Sequence, residues 1–337
     1  MTAEKIAVLG GGSWGATLAN HLAKKGHSVS IWEFLAPVAN QLKEKRTLST
    51  LPELSLEKSV QVSSEMGEIL KGKKIILSAT PSHTVRSTFT KAKPHLEKGA
   101  LVISASKGLE PETNASMSQV IRDVFPDVGD IVILSGPSHA EEVALSKPVA
   151  MVAASSSKEA TLQVQKLFTA DTFRVYTSLD PLGVEWGGTL KNIYAVACGI
   201  ADGLSLGDNT KAALITRGLL EITKLGVAWG AQTLTFFGLS GLGDLIVTCN
   251  SKHSRNRLLG EKIGQGKTLA QALSEMTMVA EGVNTTKSAY FLAQSKGVEL
   301  PIINEMYHVL FENKSPRDSM KDLLARQTGV EMEGIAL

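Results

Sequence analysis

Two groups of residues in this 337-residue chain have the types and spacing for chemistry. The first is Gly10-Gly11-Gly12-Ser13-Trp14-Gly15, a G-x-G-x-x-G run. Lys5–Leu9 predicts a short apolar strand before it, Ala16–Lys24 a helix after it, stopped by Gly26, and Ser28–Trp32 a second strand ending at Glu33. In that setting the run is a dinucleotide fingerprint. Gly10 allows the tight turn, Gly12 lets the backbone approach a pyrophosphate, and Gly15 lets helix and strand pack closely. The pyrophosphate would sit on the free N–H groups of the helix start. Glu33 lies 33 − 15 = 18 residues beyond the last glycine, where an acid accepts hydrogen bonds from the adenosine ribose and repels a 2′-phosphate. That favours NAD(H) over NADP(H), unless Glu33 is only a solvent-facing strand end. Trp14, inside the turn, is placed to cover the cofactor.

The second group centres on Lys191. Glu185–Asp202 reads as a helix apolar nearly all round, which marks it as buried. Lys191 shares a stripe with Ala195, Cys198 and Asp202, small surface that leaves room for a ligand. A buried ammonium is costly unless paired. Taken alone, the helix leaves open whether Lys191 snorkels to solvent or faces a substrate. Four polar clusters are candidates to face it. Lys107 ends one strand, and Gly136 and Ser138 end the next. Gly241-Leu242-Gly243-Asp244 reads as a turn, and Ser254-Arg255-Asn256 opens the helical run Arg257–Ile263. The last cluster has the donors of an anion site at a helix start, but a plain cap followed by an exposed arginine would look the same. Lys107 reads equally as a surface lysine, and Asp244 as a turn residue.

These residues need elements to position them. Strands are expected at Lys74–Ala79, Ala100–Ala105, Asp130–Leu134, Pro148–Ala154 and Phe173–Thr177, with a helix over Lys158–Thr169. Pro37–Leu70 reads as polar and irregular with helical patches. After about Leu182 the strand signals stop and apolar residues recur at helical spacing. The expected architecture is an α/β N-terminal Rossmann-type doubly wound sheet, residues 1–185, followed by an all-α C-terminal domain, residues 186–337, that carries substrate and catalytic groups. Ligands of such sheets bind beyond the strand C-termini.

Composition narrows the function classes. Lys and Arg number 35 against 33 Asp and Glu, and no charge run stands out, so nucleic acid and a membrane surface are not implied. No apolar run approaches the ~18 residues of a membrane span, and no signal-peptide layout precedes Lys5. Cys198 and Cys249 lack metal or CxxC spacing and suit a reducing cytoplasm. The seven histidines show no metal pattern, so no metal is expected.

Eight ordered blocks resemble the bacterial-type NAD(P)-dependent sn-glycerol-3-phosphate dehydrogenase family. They are GGGSWG at 10–15, SASKGLE at 104–110, LSGPSHAEEV at 134–143, GGTLKNIYAVACGIADGL at 187–204, GLSGLGDLIVTC at 238–249, SRNRLLG at 254–260, VAEGVNT at 279–285 and ELPI at 299–302. The resemblance implies Lys191 as general base. It implies Lys107, Gly136, Ser138, Lys191, Asp244, Ser254, Arg255 and Asn256 as glycerol-phosphate contacts, and Ser13, Trp14, Lys107, Ala140, Arg255, Val279 and Glu281 as nucleotide contacts. It also implies a supply of glycerol 3-phosphate for phospholipid synthesis, and a homodimer formed through the helical domain is expected. One departure stands out. Many members carry a basic residue near Phe34, where this chain reads Trp32-Glu33-Phe34. Two rival readings remain at this level: a β-hydroxyacid or 6-phosphogluconate type dehydrogenase, which also places asparagine after a helix-borne lysine, and a non-catalytic NAD(H)-sensing protein.

Overall fold

The computed structural model describes residues 3–331 and 334. The chain divides into two units: residues 1–107 with 115–181, and residues 182–337 with the excursion 108–114. In the first unit strands and helices alternate: β1 (Lys5–Leu9), α1 (Ser13–Lys24), β2 (Ser28–Trp32), α2 (Ala36–Lys45), β3 (Gln61–Ser63), α3 (Met66–Leu70), β4 (Ile75–Ser78), α4 (Val85–Ala92), β5 (Leu101–Ser104), α5 (Met117–Val124), β6 (Ile131–Ser135), α6 (Ala140–Ala144), β7 (Val149–Ala154), α7 (Lys158–Phe168) and β8 (Phe173–Ser178). The second unit continues with α8 (Pro181–Gly203), α9 (Asp208–Ala228), α10 (Asp244–Asn250), α11 (Arg255–Gly264), α12 (Leu269–Ser274), α13 (Gly282–Lys296), α14 (Pro301–Phe311) and α15 (Pro316–Ala325).

The eight strands form one sheet in the order β3-β2-β1-β4-β5-β6-β7-β8. All neighbours pair parallel except β6 with β7. Parallel strands covered on both faces need continuous apolar runs, and β4, β5 and β6 are buried along their whole length. The order reverses between β1 and β4, which makes the C-terminal ends of these strands a topological switch point. The strand β3 lies inside the stretch expected to be irregular. Its three residues, Gln61-Val62-Ser63, pair only with β2, so this edge strand needs no apolar run to announce it.

The second unit is helical around its own core, with Tyr194, Phe236 and Leu190 fully buried. Its central helix, α8, starts at Pro181, earlier than the Glu185–Gly187 start expected from sequence. Proline is well suited to a first helical turn, and Gly187 does not break the helix because the Ser240 carbonyl packs against it, 2.9 Å from where a Cβ would stand. The excursion at 108–114 joins this unit because Leu109 is buried in its core and the Gly108 N–H donates to Thr189 Oγ1 at 3.3 Å.

Two helices touch backbone to backbone. A Cβ on Gly199 or Gly203 of α8 would stand 2.0 or 2.3 Å from the carbonyls of Arg257 and Glu261 in α11, and one on Gly260 or Gly264 would stand 2.0 or 2.4 Å from those of Val196 and Ile200. Such distances admit only glycine. The contact repeats every four residues with a fixed offset: 260 − 196 and 264 − 200 are both 64. A constant offset means that α8 and α11 run parallel, in the packing of i±4 ridges.

Glu221 of α9 ties α14 to this core. Its carboxylate accepts the N–H groups of Ile302 and Ile303 at 2.7 and 3.1 Å and the Tyr194 hydroxyl at 3.1 Å. Burial outweighs these donors and pushes its pKa from 4.5 up to about 7. A carboxyl raised on folding stabilises the fold below its unfolded pKa, and that contribution is lost as pH rises through the folded value. Relative to Glu221→Gln, the wild-type protein should therefore lose melting temperature between about pH 5 and pH 8. A difference between the two melting temperatures that is constant with pH would contradict this assignment.

Candidate active site

In the first unit the candidate residues gather at the C-terminal ends of the parallel strands. Gly10 bends the chain out of β1 at φ +106°, its N–H donating to the Trp32 carbonyl at 2.9 Å. A Cβ on Gly15 would meet the Gly10 carbonyl at 2.0 Å, so helix α1 starts hard against the turn. The space over Gly12 is open, with no atom within 4 Å of a Cβ built there, and no side chain caps α1. The uncapped N–H groups and the open cradle above Gly12 fit a pyrophosphate. Ser13 shares a hydrogen bond with Thr50 at 3.1 Å, and Trp14 packs partly buried against the core of this unit.

Glu33 closes the other side of the turn. Its Oε2 accepts the Gly11 N–H at 2.9 Å and its Oε1 accepts the Leu35 N–H at 3.0 Å. The carboxylate is therefore fixed at the end of β2 and is not a loose surface acid. Further along the sheet, Lys107 Nζ and Ser138 Oγ both donate to the Gly136 carbonyl, at 3.2 and 2.8 Å. Gly136 itself sits at φ +141° with Met151 Cα 3.0 Å from its missing Cβ. Ala140 opens the short helix α6 just beyond. Three steps across the sheet separate β1 from β6, roughly 14 Å at the usual strand spacing.

In the second unit Lys191 does not snorkel. It is 6% exposed and pairs with Asp244, and its Nζ donates to Thr248 Oγ1 at 2.6 Å. Thr248 in turn donates to the Asp244 carbonyl at 2.7 Å. The GLGD stretch expected as a turn is helical instead. A wide π-type turn over Leu239–Gly243, closed by the Gly243 N–H on the Gly238 carbonyl at 3.1 Å, runs straight into α10. That places Asp244 and Thr248 one turn apart on one face. Thr248 was not among the sequence candidates. Read as helical, the i, i+4 spacing from Asp244 would have shown it.

The start of α11 carries the Ser254-Arg255-Asn256 cluster. Ser254 is the N-cap, its Oγ accepting the Arg257 N–H at 3.2 Å. Arg255 is exposed and makes no hydrogen bond or ion pair among the described residues. Asn256 is buried and already engaged. Its Nδ2 donates to Asn192 Oδ1 and its Oδ1 accepts the Gly282 N–H, both at 2.9 Å. Asn256 thus links α8, α11 and the start of α13, where Glu281 is the N-cap; Val279, two residues earlier, is exposed. The Asn256–Asn192 pair has the same offset of 64 as the glycine contacts (256 − 192), which sets Arg255 level with Lys191 along the paired axes. A base and a guanidinium at one level, beside free helix N–H groups, can handle a proton and hold an anion on the same small molecule.

Behind Lys191 lie two reduced, buried thiols, Cys198 and Cys249. The hydrogen bond between them, and then burial, push the Cys249 thiol well above its ordinary pKa. Among the described residues no cluster of three or more His, Cys, Asp or Glu side chains is arranged to hold a metal, and no helix is long and apolar enough to cross a membrane.

Comparison with known proteins finds relatives that span both units. Models described as the N-terminus and the C-terminus of NAD-dependent glycerol-3-phosphate dehydrogenase match residues 5–161 and 180–321. A glycerol-3-phosphate dehydrogenase [NAD(P)+] from Citrifermentans bemidjiense is 49% identical over 332 residues, covering 98% of this chain and 99% of its own. One from Geobacter metallireducens is 48% identical over 331 residues, covering 97% and 99%. The crystal structure of glycerol-3-phosphate dehydrogenase from Coxiella burnetii is 34% identical with a TM-score of 0.92, covering 96% of this chain and 99% of that one.

The buried thiols generate a test of this packing. A chromogenic disulfide reagent at mildly alkaline pH should find no reactive thiol in the native protein and two per chain after unfolding in guanidinium. Rapid native reaction would mean that the Lys191 face of α8 is open behind as well as in front.

Proposed function

Because the chain belongs to the NAD-dependent glycerol-3-phosphate dehydrogenase family, we propose that its two units divide the work of one hydride transfer, the first holding the dinucleotide and the second handling the substrate. The chain is an oxidoreductase that interconverts sn-glycerol 3-phosphate and dihydroxyacetone phosphate with NAD(P)(H). The observation that carries the residue roles is the Lys191–Asp244–Thr248 cluster level with Arg255.

The Gly10–Gly15 turn and the start of α1 would hold the pyrophosphate, and Glu33 the adenosine ribose. Trp14, Ser13, Ala140, Val279 and Glu281 are assigned to the rest of the nucleotide by the family resemblance. When bound, the nicotinamide supplies or takes the hydride at C2 of the substrate. Lys191 handles the proton. Asp244 and Thr248 accept two of its N–H bonds, which fixes the direction of the nitrogen. In the oxidation neutral Lys191 accepts the C2 hydroxyl proton; in the reduction the ammonium returns a proton to the C2 oxygen. The Arg255 guanidinium, the Ser254 hydroxyl and the first N–H groups of α11 hold the substrate phosphate. Asn256 contributes a remaining N–H while its oxygen holds Gly282. Lys107, Gly136 and Ser138 complete the substrate contacts.

Glu33, anchored on Gly11 and negatively charged, favours NAD(H): a 2′-phosphate brought beside it meets like charge. The cellular setting we infer is a reducing cytoplasm, with the protein acting as a homodimer through its helical unit and delivering glycerol 3-phosphate to phospholipid synthesis. No nucleic acid partner is implied.

Lys191→Ala should lower turnover by about 10²–10⁴-fold while leaving the NADH dissociation constant unchanged. Arg255→Ala should chiefly raise the KM for dihydroxyacetone phosphate. Near-normal turnover in the lysine variant would remove it from the chemistry. Steady-state kinetics with dihydroxyacetone phosphate should give a higher kcat/KM with NADH than with NADPH, and Glu33→Gln should narrow the gap. Equal or better use of NADPH by the wild-type protein would overturn the role of Glu33.

A further inference from the structure

A lysine side chain is long and flexible, so the peptide that carries Lys107 decides where its ammonium starts. That peptide lies just beyond the regular sheet. The pairing of β4 with β5 runs to Ser78 and Ser104, and the Ala105 N–H still donates to the Ser78 carbonyl at 2.8 Å. Beyond it a side chain makes the link: Ser106 Oγ donates to the Thr80 carbonyl at 2.7 Å. Ser78 Oγ lies 3.5 Å from the same hydroxyl oxygen and can donate to it. Ser78, Thr80 and Ser106 are all buried.

The acceptor is itself well fixed. Thr80 precedes Pro81, which favours extended backbone at Thr80. Thr80 Cγ2 stands 3.1 Å from where a Cβ on Gly10 would be, so this loop borders the glycine turn. One residue on from Ser106, Lys107 reaches the opposite way across the sheet, its Nζ on the Gly136 carbonyl after β6 at 3.2 Å. Ser106 thus holds one side of a peptide from which the ammonium leaves on the other.

We propose that Ser106 is a positioning residue for the hydride transfer. Its hydroxyl ties the Lys107 peptide to the loop beside the glycine turn and so sets the Lys107 ammonium for the substrate. The inference rests on Lys107 being a substrate contact. Without the hydroxyl, the Thr80 carbonyl loses this donor and the peptide is free to shift, and a misplacement of about 1 Å costs up to ~10²-fold in catalysis.

Steady-state kinetics of the full chain with dihydroxyacetone phosphate and NADH test this in a double-mutant cycle of Ser106→Ala and Lys107→Ala. Lys107→Ala should raise the KM for dihydroxyacetone phosphate at least tenfold. Ser106→Ala should raise it roughly three- to tenfold, the net worth of one hydrogen bond. The double variant should match Lys107→Ala, because a hydroxyl that acts only through the ammonium then has nothing left to position. Ser106→Cys keeps the shape of the side chain but donates only weakly. It should also raise the KM, and it takes the place of Ser106→Ala if that variant does not fold. A wild-type KM in the Ser106 variant, or a double variant whose KM rises by the product of the two single effects, overturns the inference and leaves Lys107 in its role. A wild-type KM in Lys107→Ala refutes Lys107 as a substrate contact and takes the inference with it.

Discussion

The parallel contact between α8 and α11 is the constraint on which the helical unit depends. Four glycines let the two backbones meet where any Cβ would collide with a carbonyl oxygen. The contact fixes more than distance. Because it repeats every four residues, it leaves no freedom to slide by less than a helical turn. The register then sets Ser254 and Arg255 level with Leu190 and Lys191, so the proposed anion anchor and the proposed proton-handling group are placed by packing. The ion pair between Arg257 and Asp202 at 2.7 Å, with Lys211 on the same carboxylate at 2.6 Å, closes the other end of the contact. Its Arg257 arm is close in distance without the alignment of a hydrogen bond. The Asn192–Asn256–Gly282 chain closes the near end and brings α13 to it.

Around this contact the unit buries charge in ways that make sense only together. Lys191 and Asp244 are 6% and 1% exposed, and neither would be tolerated there alone. Removing one partner of such a pair typically costs about 3–5 kcal/mol, because the other charge is left stranded. The π-type turn before α10 carries Asp244 into helical position, and Gly241 within it lies against the Phe236 carbonyl, 2.0 Å from where its Cβ would be. Irregular backbone here serves to aim a carboxylate.

Much of the dinucleotide unit was legible in the sequence. Each of β1 and β2 appears over the residues expected, because a glycine turn, a helix of one period and an acid at a set distance all point the same way. The buried strands announced themselves by apolar runs. What stayed hidden depended on partners distant in sequence. The edge strand β3 has no apolar run, and the 108–114 excursion is held by Leu109 and Thr189. Gly199-x-x-x-Gly203 and Gly260-x-x-x-Gly264 are visible as spacings, but only their meeting gives them meaning. Thr248 was hidden because a glycine-rich stretch suggested a turn where the chain makes a wide helical one. Ser254 is an N-cap by geometry, yet capping leaves its hydroxyl proton available, so the two readings of that cluster do not exclude each other.

The glycine contact, and not the local sequence of α11, would set the proposed phosphate anchor against the lysine. Gly260→Ala tests it most directly, because the added methyl would stand 2.0 Å from the Val196 carbonyl and must push α11 away from α8. In a variant whose circular dichroism still shows native helix, the KM for dihydroxyacetone phosphate should rise at least tenfold while the KM for NADH stays at the wild-type value. A fall in melting temperature with both KM values unchanged would contradict the account.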